Sequence, residues 1–123
     1  MKLVYLVFGG IVGTVSRYAL SAAIHENTGH VFPFGTFIVN ALGCLIIGVL
    51  STMHEGRLFA DENMKMLLAV GFCGAFTTFS TFIMESVHLA KSGEMLHAFL
   101  NIILSVVIGF AAFILGARLG AAL

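Results

Sequence analysis

The sequence has 123 residues, of which 59% are hydrophobic and 10% charged, with no formal net charge and a mean hydropathy of +1.06. A soluble domain is nearer half apolar and a quarter charged, so the composition predicts an integral membrane protein and argues against nucleic acid as a partner. Because one span needs about 20 residues, four spans fill most of the chain and leave no room for a soluble domain.

The first predicted span covers residues 3–24. It begins with Gly9, Gly10 and Gly13, small residues that let another helix approach closely. Arg17 and Tyr18 follow in the same apolar stretch. A charged side chain is costly in lipid, so Arg17 either reaches the interface beside Tyr18 or faces protein.

The second predicted span covers residues 34–53, directly after Pro33, and Asn40 is its one strongly polar group at depth. A buried amide that finds no partner costs several kcal/mol, roughly 2 to 7. Asn40 therefore either bonds to another helix or lines a pore as a donor. These two roles are alternatives at this stage.

The third predicted span, residues 66–89, contains a stretch that is a poor membrane helix. Gly71 and Gly74 weaken helix formation, and β-branched threonines follow. Four hydroxyl residues are poor choices to face lipid: Thr77, Thr78, Ser80 and Thr81. The stretch predicts either a helix broken at mid-membrane, whose free carbonyls can hold a cation, or a threonine-rich kink packed on a neighbouring helix.

Phe79, Phe82 and Glu85 recur at intervals of three after this stretch, so they share roughly one helix face. Glu85 lies toward the membrane end of that face. It either reaches the headgroup region or lines a vestibule.

The fourth predicted span covers residues 95–119. Asn101 and Ser105, four residues apart, form a small polar stripe on one face. Small residues recur at helical spacing and predict a close-packing face made of Gly109, Ala112, Gly116 and Gly120.

Little in the sequence supports catalysis, so we do not expect an enzyme. Phosphate loops, nucleophile motifs and carboxylate pairs are absent. Cys44 and Cys73 lack CxxC spacing and are expected as small core residues. The histidines have no metal-ligand spacing and lie in loops or near span ends: His25, His30, His54, His88 and His97. Transport or a purely structural role in the membrane remains.

Three motifs, one in each of the first three spans, resemble those of the CrcB/Fluc family of fluoride ion channels. They are Gly9-Gly10-x-x-Gly13-x-x-x-Arg17-Tyr18, Gly35-Thr36-x-x-Val39-Asn40-x-x-Gly43 and Gly71-x-x-Gly74-x-x-Thr77-Thr78-Phe79-Ser80-Thr81-Phe82. The resemblance covers essentially the whole chain, and the third motif is highly specific. Span four matches more loosely, because family members often carry an aromatic residue where Asn101 stands.

The resemblance implies an all-α membrane protein that exports fluoride passively from the cell and lies in the inner cell membrane. Its subunits would have four spans with the third helix broken, and two of them would form an antiparallel, dual-topology homodimer. A structural sodium ion would bind the backbone carbonyls of Gly74 and Thr77. The implied fluoride pathway contains Asn40, Phe79, Ser80, Thr81, Phe82, Glu85, Asn101 and Ser105. Arg17 would anchor loop or helix ends.

Two other functions remain open from the residues alone. A small four-span drug or cation exporter would require a carboxylate in span one, where this chain has Arg17. A membrane assembly protein without transport activity would show no ion flux. For topology, the predicted spans place four basic residues on the side of the termini and one on the opposite side: Lys2, Arg57, Lys65 and Arg118 against Lys91. This imbalance slightly favours cytoplasmic termini, whereas the resemblance implies both orientations.

Overall fold

The computed structural model describes residues 1–29, 31–53 and 60–123. His30 and residues 54–59, which include His54 and Arg57, lie outside the described residues. The contribution of Arg57 to the topology argument is therefore an inference from sequence.

The described residues form helices, and four of these are long and apolar enough to cross a membrane. The prediction of an all-helical chain with four such segments is confirmed. Their ranges are Lys2–Thr28, Phe34–Thr52, Glu62–Lys91 and Met95–Ala121. We label the first two α1 and α2.

The third of these segments is composite. It consists of α3 (Glu62–Met64), a π-helical segment (Lys65–Cys73), α4 (Gly74–Phe76) and α5 (Phe79–Lys91). The fourth segment, α6, is the single helix Met95–Ala121.

The π-helical segment is unusual for its nine residues, because π-helices mostly occur as single turns. At its end the amide of Gly74 donates to the carbonyl of Ala69, five residues earlier. The sequence pattern contains no signal for π-helical hydrogen bonding here. The segment is followed directly by α4.

Two residues between α4 and α5 have extended backbone. Thr77 has φ −83° and ψ 157°, and Thr78 has φ −146° and ψ 120°. The hydroxyl of Thr77 donates back to the carbonyl of Cys73 at 2.9 Å. Thr78 caps α5, since its Oγ1 accepts from the amide of Thr81 at 3.3 Å. We call Thr77 and Thr78 the extended step.

Glycines bring α1 against the π-helical segment. A Cβ added at Gly9 would overlap the carbonyl oxygen of Leu67, and one at Gly13 would overlap that of Phe72. In the π-helical segment itself, a Cβ added at Gly71 would meet the carbonyl oxygen of Leu6 at 2.8 Å. The backbones touch here, as Gly9 and Gly13 of span one predict. The prediction is wrong for Gly10, where an added Cβ would meet nothing within 4 Å in the described part of the chain.

A second glycine seam joins α2 to α6. A Cβ at Gly48 would overlap the carbonyl oxygen of Phe113, and one at Gly116 would overlap that of Leu45. The hydroxyl of Thr52 donates across the seam to the carbonyl of Ala117 at 2.6 Å. The predicted close-packing face is confirmed here for Gly116 and, against the Val49 carbonyl, for Gly120.

Candidate functional site

The amide of Asn40 pairs with the backbone of Thr78 in both directions. The Thr78 amide donates to Asn40 Oδ1 at 2.8 Å, and Asn40 Nδ2 donates to the Thr78 carbonyl at 3.0 Å. The side chain thus supplies the hydrogen bonds that a continuous helix would have supplied to Thr78. Bonding to another helix, one of the two roles considered for Asn40, is confirmed, and the residue also lines a cavity described below.

Arg17 stabilises the other side of the extended step. Its Nε donates to the carbonyl of Ala75 in α4 at 3.1 Å. The side chain is half-buried, whereas the neighbouring Tyr18 is 77% exposed. Of the two positions considered for Arg17, the structure shows that it faces protein and satisfies a carbonyl where α4 ends.

Three carbonyls at the step have no donor from the described part of the chain. Hydrogen bonds at the step go to the carbonyls of Cys73, Ala75 and Thr78, and those of Gly74, Phe76 and Thr77 receive none. The Thr78 amide, which would have bonded Gly74 in a continuing helix, is taken by Asn40. A Cβ at Gly74 would meet nothing within 4 Å. Free neutral carbonyls at an open surface suit a hard cation such as sodium.

The first cavity, which we call the Arg17 cavity, lies between α1, α2 and α5 and has a volume of about 740 Å³. Arg17, Thr36, Thr81 and Glu85 contribute polar groups to its wall. The Thr36 hydroxyl donates to Glu85 Oε1 at 2.7 Å. Glu85 Oε2 is buried and has no hydrogen-bond partner in the described part of the chain. Glu85 therefore lines a cavity between the helices.

The second cavity, which we call the phenylalanine cavity, has a volume of about 470 Å³. It brings together the Asn40 amide, the Phe79 and Phe82 rings and the Ser105 hydroxyl. The two ring centroids are 5.8 Å apart. Phe82 is 8% exposed, while Phe79 is 75% exposed in the single chain. Thr78 lines both cavities, so the extended step lies between them.

Two residues of the sequence-based set lie outside both cavities. Ser80 is exposed on the surface of the single chain. Asn101 is 1% exposed, and its Nδ2 donates to Ser86 Oγ at 2.9 Å. Its Oδ1 accepts from Ser105 Oγ at 3.4 Å.

Sequence reasoning missed the roles of Thr36 and Ser86. Thr36 stands in the second motif but its bond to Glu85 depends on how α2 and α5 face each other. Ser86 lies four residues after Phe82, so its helical position alone placed it on the same face as that ring. That spacing was the available signal.

Fold and site together define a small multi-pass membrane protein. Its polar side chains form hydrogen bonds to the backbone of the extended step and line two cavities. The chain belongs to the family described as "CrcB-like protein, Camphor Resistance (CrcB)", whose model matches residues 4–117.

Several curated relatives share nearly the full length of the chain, and each carries the name "Fluoride-specific ion channel FluC". The protein from Phocaeicola vulgatus is 45% identical over 94% of this chain and 96% of its own length. That from Magnetococcus marinus is 42% identical over 98% of both chains. That from Desulforapulum autotrophicum is 39% identical over 97% of this chain and 95% of its own.

Proposed function

We propose that this protein is a fluoride-selective channel that lets fluoride leave the cell passively. The observation that carries the proposal is the phenylalanine cavity, where two aromatic rings, an amide and a hydroxyl converge. The names of the relatives point to the same ion. No chemical step is involved, and the direction of flow follows the electrochemical gradient.

The lining of the cavity suits a small, strongly hydrated anion. Fluoride can leave its water only where donors replace it, and the edges of aromatic rings carry the positive end of their quadrupole. An amide nitrogen carries two hydrogens, and the structure shows Asn40 giving one to Thr78. The other is the donor that Asn40 offers to the cavity. Such contacts are individually weak, which allows the ion to leave again.

The pathway we propose passes through both cavities. Thr78 lines both of them, so both cavities border the extended step. On one side the ion would meet Thr81 and the Arg17 guanidinium in a wide vestibule. On the other side it would pass Phe82, Phe79 and Ser105. Export is useful because fluoride enters an acidified cell as its neutral acid and dissociates inside.

We further propose an antiparallel homodimer of dual topology in the inner cell membrane. Phe79 supports this assembly, because a large ring that lines a cavity is 75% exposed in the single chain. Ser80 next to it is also exposed. A second copy would cover both residues and complete the walls of two pores.

The carbonyls of Gly74 and Thr77 would hold a structural sodium ion between the two copies. Their lack of donors within the described chain and the open surface at Gly74 support this assignment. The bound ion would supply positive charge to carbonyls that are otherwise unpaired in lipid. It would be a fixed part of the assembly and not the transported species.

The orientation of the subunits can be tested by labelling. Ala60 is exposed just before α3, so a cysteine there, in a chain with Cys44 and Cys73 replaced by alanine, reports on which side this end lies. The proposal predicts that an impermeant thiol reagent labels about half of the protein in intact cells and the rest after permeabilisation. Labelling from one side alone would exclude dual topology.

Ion flux from liposomes tests the function and separates the alternatives. A fluoride channel releases trapped fluoride when a potential is imposed. A drug or cation exporter would instead move organic cations, a function disfavoured here because α1 carries Arg17, bonded to Ala75, where such an exporter requires a carboxylate. An assembly protein would release neither, and either of these two results would refute the proposal.

A further inference from the structure

A directed chain of hydrogen bonds joins α5 to α6. The Ser105 hydroxyl donates to Asn101 Oδ1 at 3.4 Å, and Asn101 Nδ2 donates to Ser86 Oγ at 2.9 Å. The Ser86 hydroxyl in turn donates to the carbonyl of Phe82 at 2.8 Å. We call these four groups the Asn101 relay.

The residues at both ends of the relay line the phenylalanine cavity, and those in its middle do not. Ser105 and Phe82 line that cavity. Asn101 and Ser86 are 1% and 4% exposed and line neither cavity. Neither side chain therefore reaches an ion in the cavity, although both are bonded to residues that do.

The order of donors fixes how the Asn101 amide is turned. A serine hydroxyl has a single hydrogen, and Ser86 commits it to the Phe82 carbonyl. Ser86 must therefore accept from Asn101, which points the NH₂ group of Asn101 at α5. Its oxygen then faces Ser105 and is available to hold the hydroxyl of that residue.

We propose that Asn101 is a positioning residue of the ion pathway, holding the backbone of Phe82 through Ser86 and the hydroxyl of Ser105 directly, without touching the ion. The inference rests on the proposed fluoride channel function. A serine that bonds back to a carbonyl four residues earlier bends its helix slightly. The Ser86 bond therefore sets the local direction of α5 at Phe82. The Ser105 bond is the longest of the three, so Asn101 holds this hydroxyl until an arriving anion competes for it.

Fluoride release from liposomes, measured per mole of monodisperse protein, tests the relay through four variants. Ser86→Ala removes the central hydroxyl and Asn101→Leu removes the amide at similar volume. Each should lower the rate roughly three- to tenfold, the range that one hydrogen bond supplies. Ser86→Thr keeps the hydroxyl and should recover most of the rate. Ser51→Ala is the matched control, because among the described residues Ser51 bonds only back to Gly48 in its own helix.

The double variant Ser86→Ala with Asn101→Leu decides whether the residues act as one unit. The relay predicts a rate close to that of the slower single variant. Independent roles predict the product of the two losses, roughly ten- to hundredfold, and that result would overturn the proposal.

A spectroscopic measurement separates positioning from a merely structural role. With 4-fluorophenylalanine at position 82, the ¹⁹F resonance should shift or broaden in Ser86→Ala and stay unchanged in Ser51→Ala. A lower melting temperature in Ser86→Ala, with the resonance and the fluoride rate both unchanged, would show that the relay serves stability alone.

The outcome does not depend on recovering every variant. Should Asn101→Leu fail to fold, Ser86→Ala against Ser86→Thr still decides: equal fluoride rates in these two overturn the inference. A parent protein that releases no fluoride would instead refute the channel function itself, so the two failures are distinguishable.

Discussion

The α2–α6 seam and the extended step solve the same problem of backbone burial in opposite ways. At the seam, Gly48 and Gly116 let two intact helices touch backbone to backbone and leave no space between them. At the step, the helix stops at Thr77, and side chains from α1 and α2 bond to the exposed backbone groups. Cavities open on both sides of the step. The seam holds the fold, and the step provides the polar surface.

Adding a side chain at a glycine of the α2–α6 seam should have the largest effect on the protein. Gly116→Val places a branched side chain where the Leu45 carbonyl oxygen already lies. Overpacking costs typically about 1–3 kcal/mol where neighbours can shift, and a backbone carbonyl in a helix cannot shift far. We therefore expect loss of monodisperse protein on size exclusion.

Gly109→Ala is the matched control on the same helix. Its added Cβ would meet only Cys44 Sγ, at an ordinary contact distance of 3.4 Å. It should purify like the parent. If Gly116→Val also purifies like the parent, the seam is not the rigid element described above.

Removing the Asn40 side-chain amide should have the second-largest effect. Asn40→Leu leaves the amide and the carbonyl of Thr78 without their partners. Each unpaired buried group costs about 1–3 kcal/mol, so a fall of several kcal/mol in the free energy of unfolding is expected together with loss of fluoride release. Chemical denaturation in detergent and efflux from liposomes measure the two effects.

Asn27→Ala controls for loss of an amide, since within the described residues Asn27 bonds only to Ala23 in its own helix and is exposed. That variant should match the parent in both assays. An Asn40→Leu protein as stable as the parent would mean that the step does not depend on this pairing.

The phenylalanines should affect flux without affecting the fold. Phe79→Ile and Phe82→Ile keep apolar bulk but remove the ring edge. Fluoride release should fall at least about tenfold, equivalent to roughly 1.4 kcal/mol at the barrier, while the size-exclusion profile stays unchanged. Phe110→Ile is the control, since Phe110 is 70% exposed and lines neither cavity. Parent-like release from both variants would remove the rings from the pathway.

Removing sodium should give the smallest and slowest effect. Exchange into sodium-free potassium or N-methylglucamine buffer leaves the Gly74 and Thr77 carbonyls without their proposed ligand. We expect a lower melting temperature that develops over hours and recovers when sodium is restored. Protein that melts identically in all three buffers after prolonged dialysis would argue against a structural sodium site.

The long apolar segments and the small-residue faces of the chain could be predicted from the sequence. Composition and hydrophobic length predicted four spanning helices, because burial in lipid demands long apolar segments. The glycine spacing predicted a close-packing face on α6, since small residues on one face have few other uses in a membrane. It did not identify α2 as the helix that packs there. Gly74 and the threonines indicated a poor helix over the stretch that contains the extended step.

The pairings at the site could not be predicted in the same way. That Asn40 bonds to Thr78, and Asn101 to Ser86, depends on the rotation of one helix against another, which single-helix periodicity does not fix. The π-helical register of Lys65–Cys73 has no sequence signal in an apolar run. Phe79 and Ser80 are exposed in the single chain, so periodicity could not show what covers them; in our proposal it is a second copy of the chain.

The central claim is that the polar surface around the extended step conducts fluoride and rejects other halides. Liposomes loaded with equal concentrations of fluoride and chloride, carrying the parent protein, are set at one imposed potential with valinomycin and a potassium gradient. Ion-selective electrodes follow both anions in the same sample. The account predicts rapid release of fluoride while chloride stays trapped until detergent is added. Release of both anions at equal rates, or of neither, would contradict it.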